Sequence, residues 1–146
     1  MKILFGSKAV RSNQKNFSLT ETSGKPQILD LPVEGCHTLI VVDPDAGKTK
    51  PTDPRPGNSD RYYLHWLVVN ISGGDLASGR QIVQYQKPTP PPGTGQHEYK
   101  FLLFSQPCGL TRGLDSPDTL SNWSLQHFIE EKGLTLVEQQ SIRVSP

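Results

Sequence analysis

The segment that most constrains the fold is Thr38-Leu39-Ile40-Val41-Val42-Asp43-Pro44-Asp45-Ala46, an apolar, β-branched run that stops at two carboxylates separated by one proline. Leu39 to Val42 has no polar face, which is the pattern of a central strand covered on both sides. Such a strand needs paired neighbours and layers above and below it, so the chain is committed to a sheet-based fold. In extended geometry alternate side chains share a face, so Asp43 and Asp45 are expected on one side with Cβ atoms roughly 6 to 7 Å apart. Pro44 sets its own φ and biases Asp43 towards the extended region. Ordinary turn chemistry at a strand end would use the same residue types, and the pair alone does not separate the two readings.

The 146 residues suit a single domain, residues 1–146, with room for a real core. Thirteen prolines and thirteen glycines cluster between apolar runs, which points to a mainly β fold with elaborate loops. Short strands are expected at Met1–Phe5, around Phe17 and Leu19, and at Ile28–Val33, where Pro32 confines the segment to an edge or a bulge. Tyr62–Ile71 is strand-like in its aromatic and β-branched content, with Tyr63, His65, Leu67 and Val69 expected on one face. Gln81–Tyr85 reads as a short strand, and Gln96–Phe104 as a longer one with His97, Tyr99, Phe101 and Leu103 on one side. Ser121 or Asn122 is positioned to cap a helix over Trp123–Lys132, which Gly133 stops. Leu134–Val144 alternates as a last strand at a sheet edge.

Two loops stand out. Residues 47–60 are polar and broken by Pro51, Pro54, Pro56 and Gly57, with Lys48, Lys50 and Arg55 expected as solvated charges. Lys87–Gly95 is rigid and polyproline-like, tipped with glycines that expose backbone N–H groups.

Fifteen basic and fourteen acidic residues are scattered and leave a net charge of +1, so there is no electrostatic footprint for nucleic acid. No run of about eighteen apolar residues occurs. Met1–Phe5 is too short for a signal peptide, so a cytoplasmic monomer without stable membrane insertion is expected. Cys36 and Cys108 sit at the edges of different apolar runs without CxxC spacing and are expected to be buried thiols.

Chemistry-bearing residues collect at three strand ends beside the loops: Asp43 with Asp45, then His65, then His97 with Tyr99. A lone strand histidine is commonly a satisfied core residue, and a lone tyrosine a core aromatic. Their joint placement beside Pro/Gly-rich loops is what points to a pocket. If the pieces converge, a carboxylate within about 4 to 6 Å of an imidazole would raise the pKa of His65 or His97 and hold it charged near neutral pH. Backbone N–H groups of Gly93 to Gly95 would add donors, and Tyr63, Pro90, Pro91 and Tyr99 apolar walls. That combination suits a phosphate, sulfate or carboxylate group. Two histidines and two aspartates could also ligate zinc, but no HExxH or His-x-His spacing accompanies them. Nor is there a GxSxG elbow or a cysteine with a readable histidine partner, so the residues alone lead to an anion pocket without a nucleophile, catalytic residue or cofactor.

Asp43-Pro44-Asp45-Ala46, Arg61 to Ile71, and Pro90-Pro91-Pro92-Gly93-Thr94-Gly95-Gln96-His97-Glu98-Tyr99 closely resemble motifs of the phosphatidylethanolamine-binding protein family, which includes Raf kinase inhibitor proteins and plant flowering regulators. The resemblance is strong over residues 36–106 and collinear to residue 144. It implies a large central antiparallel sheet packed on a smaller sheet, with a few short peripheral helices. It also implies a ligand pocket with Asp43, Asp45, His65 and His97 as polar lining, Tyr63, Pro90, Pro91 and Tyr99 around them, and backbone from Gly93 to Gly95. Arg61 resembles a structural arginine that ties a loop down. Gly47 stands where the family usually has a second proline, which implies a freer loop. The chain also resembles a form without the C-terminal helix that animal members place beside the pocket, so a more open pocket is expected.

The function implied is a non-catalytic binding protein for phosphate-type or phospholipid head groups such as phosphoethanolamine, modulating a signalling partner such as a kinase. The alternatives are a protease inhibitor acting through the Lys48–Asp60 loop, or a metal-assisted hydrolase using the Asp/His cluster.

Overall fold

The computed structural model describes residues 1–56 and 60–146, so Gly57, expected to help break the long loop, lies outside the described residues. Strand β5 (Cys36–Asp43) is buried along nearly its whole length, as a segment lacking a polar face requires. It pairs antiparallel with β6 (Arg61–Ser72) on one side and β8 (His97–Gln106) on the other. Outside these, β7 (Arg80–Val83) adds to β6, and β10 (Thr135–Val144) adds to β8. The sheet is antiparallel except where β3 (Asn16–Phe17) runs parallel to the last two residues of β10. The expected edge position of β10 therefore holds along most of its length. The second sheet is small, in the order β2 (Lys8–Ala9), β1 (Lys2–Phe5), β4 (Gln27–Leu29).

One core fills the space between the sheets, with Ile3, Phe5 and Ile28 packed on Leu39, Val41, Trp66, Val68, Phe101 and Leu103. The other face of the large sheet presents Ile40, Val42, Leu64, Leu67, Leu102 and Phe104. It is covered by helix α1 (Leu125–Lys132) and by Leu110, Leu114 and Leu120 from the segment that precedes the helix. The mainly β architecture with a large and a small sheet agrees with the expectation. Among the described residues there is one α-helix, and a short 3-10 turn lies at Leu76–Ser78.

Three local expectations are corrected. Residues Tyr63, His65, Leu67 and Val69 do not share a face, because the first of two bulges breaks the alternation of β6 against β5. Val41 pairs with Trp66 and Val42 with Leu64, which leaves His65 as an extra residue. A one-residue insertion flips every later side chain to the opposite face. Trp66 and Val68 accordingly join the inter-sheet core with the Tyr63–His65 side, while Leu67 and Val69 turn to the helix side. At the second bulge Asn70 has φ 58°, a left-handed conformation that asparagine tolerates better than most residues.

The helix cap is Ser124, whose hydroxyl oxygen accepts from His127 N–H, and not Ser121 or Asn122. The chain stays extended through β9 (Trp123–Ser124), which pairs with Arg61 and Tyr62 and delays the helix by two residues. Gly133 closes the helix in the left-handed region at φ 66°, as expected.

The cysteines are not thiols: Cys36 and Cys108 form a disulfide. Cys36 opens β5 opposite Gln106, the last residue of β8, so antiparallel pairing delivers Cys108 to its partner across 72 residues of sequence. Sequence spacing carried no sign of this, because the proximity belongs to strand register. The same corner is held by Gln106, which accepts from Thr38 Oγ1 at 2.6 Å and donates to Asn70 Oδ1 at 2.7 Å.

Closing so long a loop restricts the unfolded chain, so the bridge should contribute about 2–4 kcal/mol. Urea unfolding of Cys108→Ser should show that loss, and thiol titration of the unfolded wild type without reductant should find no free cysteine.

Candidate functional site

The end of β5, the start of β6 and the start of β8 meet at a cavity of about 210 Å³. Asp43, Tyr63, His65, Pro91, His97 and Tyr99 line it, as the sequence expected, and Ala46, Gly47 and Thr89 complete the wall. Asp45, Pro90, Gly93 and Gly95, also expected in the site, stand outside the lining.

Asp43 is the last residue of β5 and is 4 % exposed. Its Oδ2 lies 2.8 Å from His97 Nδ1, and its Oδ1 accepts the Asp45 backbone N–H at 2.7 Å. Burial pushes the Asp43 carboxyl pKa up, and the His97 contact pulls against that rise. The other ring nitrogen, His97 Nε2, is 2.9 Å from Thr94 Oγ1. That hydroxyl donates to Pro91 O at 2.7 Å, so its oxygen receives the hydrogen of Nε2. With Nε2 protonated, the Nδ1 to Asp43 contact must carry a second proton on one partner or the other. The buried pair is thereby neutral overall, which suits its low-dielectric surroundings.

His65 is held differently. Its Nδ1 is 2.7 Å from the Gln86 carbonyl oxygen, and its ring packs against Tyr63 at 4.8 Å and edge-on against Tyr99 at 5.1 Å. Burial lowers its pKa to about 4, with the Gln86 carbonyl opposing the drop and His97 adding to it. The expectation that a neighbouring carboxylate would hold His65 charged is therefore corrected: desolvation wins, and the ring is neutral at pH 7.

Asp43 and Asp45 do not share one face, because the chain turns immediately after Asp43, and the Asp45 N–H folds back onto the Asp43 carboxylate. Asp45 is 1 % exposed and serves the loops. Its Oδ2 accepts the Glu98 N–H at 2.8 Å, and its Oδ1, without a well-directed hydrogen bond, faces Arg55 Nε at 3.0 Å and Lys48 Nζ at 3.8 Å. Arg55 also reaches Glu98 at 3.2 Å. Lys48 and Arg55 are thus not merely solvated: a buried carboxylate demands a counter-charge, and that rule is the signal that could have found them.

Gly95, at φ 77°, lets the Pro51 ring approach so closely that a Cβ would sit 2.9 Å from Pro51 Cβ. Its role is to seat the 47–56 segment on the cavity's rim. Gly47 has φ 93°, which a proline ring forbids, so this loop follows a path closed to proline at that position. Arg61 Nη1 donates to the Asn122 carbonyl at 3.4 Å, tying down the segment before the helix.

Among the described residues, no group of three or more His, Cys, Asp and Glu side chains is placed to hold a metal ion. No helix among them is long and apolar enough to cross a membrane.

A family model described as phosphatidylethanolamine-binding protein matches residues 8–140. The chain belongs to the phosphatidylethanolamine-binding protein family. It is 38 % identical over 139 residues to Protein BROTHER of FT and TFL 1 of Arabidopsis thaliana, covering 92 % of this chain and 73 % of that protein. It is 42 % identical over 94 residues to Protein MOTHER of FT and TFL1 homolog 2 of Oryza sativa subsp. japonica, covering 63 % of this chain and 49 % of that one. The fold is shared with a phosphatidylethanolamine-binding protein from Plasmodium vivax, with a TM-score of 0.73 at 21 % identity, covering 98 % of this chain and 83 % of that one. It is likewise shared with a carboxypeptidase Y inhibitor solved with its cognate proteinase, at a TM-score of 0.74 and 20 % identity, covering 98 % and 81 %.

Two measurements test this electrostatic assignment. The folded His65 value lies below the ordinary 6.5, so the unfolded chain takes the proton first. Stability from this group is present above pH 6.5 and lost as pH falls towards 4, on the order of 3 kcal/mol in all. The His65 ring resonances should not titrate between pH 8 and 5, while urea midpoints should fall over the acid half of that range. Asp45→Ala should lower stability by about 1–3 kcal/mol, because it strands the Glu98 N–H and the charges of Arg55 and Lys48. Urea unfolding reads that loss.

Proposed function

We propose that the protein is a non-catalytic binding module whose cavity takes a phosphate-type head group, with the loaded or empty state modulating a signalling partner such as a kinase. The observation that carries this reading is the cavity itself. It is small, and donors and acceptors of His65, Asp43, Tyr63 and Tyr99 line it over a floor set by the Asp43–His97 contact. Its volume of about 210 Å³ suits a head group and not a large substrate. The Asp43–His97 unit removes what would otherwise be an unbalanced buried carboxylate facing an anion.

The Cys36–Cys108 bridge supports an oxidising compartment over the cytosol expected from the sequence, because cytosolic thiol pools keep most cysteine pairs reduced. The module works as a monomer in this reading, since one chain supplies every residue that lines the cavity.

Titration with inorganic phosphate while following the ring resonances of His65 and His97 tests the proposal. Saturable shifts in the millimolar range or tighter are expected, and His97→Ala should weaken binding by at least about tenfold, roughly 1.4 kcal/mol. Unchanged resonances in millimolar phosphate would overturn it.

A further inference from the structure

The hydrogen-bond inventory of His65 constrains what the cavity accepts. The Gln86 carbonyl oxygen, 2.7 Å from Nδ1, can only accept, so Nδ1 carries the ring hydrogen. In the neutral ring Nε2 is then a bare lone pair. Among the described residues nothing donates to it, although His65 is 4 % exposed and lines the cavity. The Nε2 atom therefore opens to the cavity, where a donor on a ligand can meet it.

The surroundings do not favour charging the ring. Facing His65 are Tyr63 from its own strand, Tyr85 beyond β7, His97 and Tyr99 from β8, and Asp43 from β5. Among the described residues, no lysine or arginine lines the cavity. A fully deprotonated phosphomonoester offers only acceptors, so it would set lone pair against lone pair at Nε2 and bury two uncompensated negative charges. A singly protonated one presents a P–O–H hydrogen to Nε2 and leaves its other oxygens for the phenol hydroxyls of Tyr63 and Tyr99, which are donors in the same lining.

We propose that the pocket takes a phosphomonoester in its protonated, monoanionic form, with His65 Nε2 accepting the ligand's hydrogen. This rests on the reading of the cavity as a head-group site and narrows it to one ligand class and one protonation state. His65 is then a selectivity residue that rejects donorless anions.

The test compares three probes by calorimetry on the wild-type protein: methyl phosphate, inorganic sulfate, and glycerophosphoethanolamine, a diester whose donor is its ammonium. Methyl phosphate should bind about tenfold more weakly for each pH unit above its second ionisation, near 6. Sulfate, which carries no proton in that range, should bind at least about tenfold more weakly than methyl phosphate at pH 6. His65→Gln, whose amide both donates and accepts, should admit sulfate and flatten the pH dependence, with circular dichroism confirming that it folds.

Equal affinity for sulfate and methyl phosphate, or affinity for methyl phosphate that does not change with pH, would overturn the proposal and leave the anion pocket standing. Tighter, pH-independent binding of glycerophosphoethanolamine would overturn it in favour of a lipid head group donating through its ammonium. No binding of any probe would overturn the head-group reading itself.

Discussion

Asp43 Oδ2 and His97 Nδ1 meet at 2.8 Å where β5 stops and β8 starts, and the cavity exists because both strands end at that contact. Neither group would be stable alone in so dry a place, since an isolated buried charge costs several kcal/mol. Together they cancel, and the backbone N–H of Asp45 and the hydroxyl of Thr94 occupy most of what remains. The contact is therefore both a joint between two central strands and the floor of a polar pocket. Its strength derives from β5 being paired on both sides, which leaves the carboxylate little freedom to swing away.

The two bulges of β6 give that floor a wall. A regular strand would have carried Tyr63, His65, Leu67 and Val69 down one face, placing the histidine in line with aliphatic residues of the helix-side core. The extra residue at His65 separates these roles. Tyr63 and His65 turn to the cavity, and Trp66 and Val68 then seal the inter-sheet core directly behind them. The bulge aims one polar ring without sacrificing the packing of a buried strand.

Asp43 and Asp45 illustrate how burial assigns different work to like residues. One shares a proton with a histidine and faces the cavity; the other is enclosed by Arg55, Lys48 and a backbone N–H and holds the rim. Gly95 lets Pro51 press against that rim, so the 47–56 segment is seated by both charge and shape. The rim and the floor are thus different devices, joined by the Asp45 N–H that donates to Asp43 Oδ1.

What the sequence alone determined was local. Leu39 to Val42 announced a central strand because an extended segment alternates its side chains, and a run with no polar side has no face to give to water. The same logic assigned His97, Tyr99, Phe101 and Leu103 to one side of β8, glycine's ease in the left-handed region assigned Gly133 to the helix end, and the ordered motifs indicated the family. Tertiary structure decided the rest: the phase of β6 after His65, the Cys36–Cys108 bridge, the parting of Asp43 from Asp45, and the partners Thr94 and Arg55. Each depends on which residues face one another across strands, and the Asp43–His97 pair alone spans 54 positions of sequence. Periodicity is written residue by residue, whereas register is settled only when the whole sheet has closed.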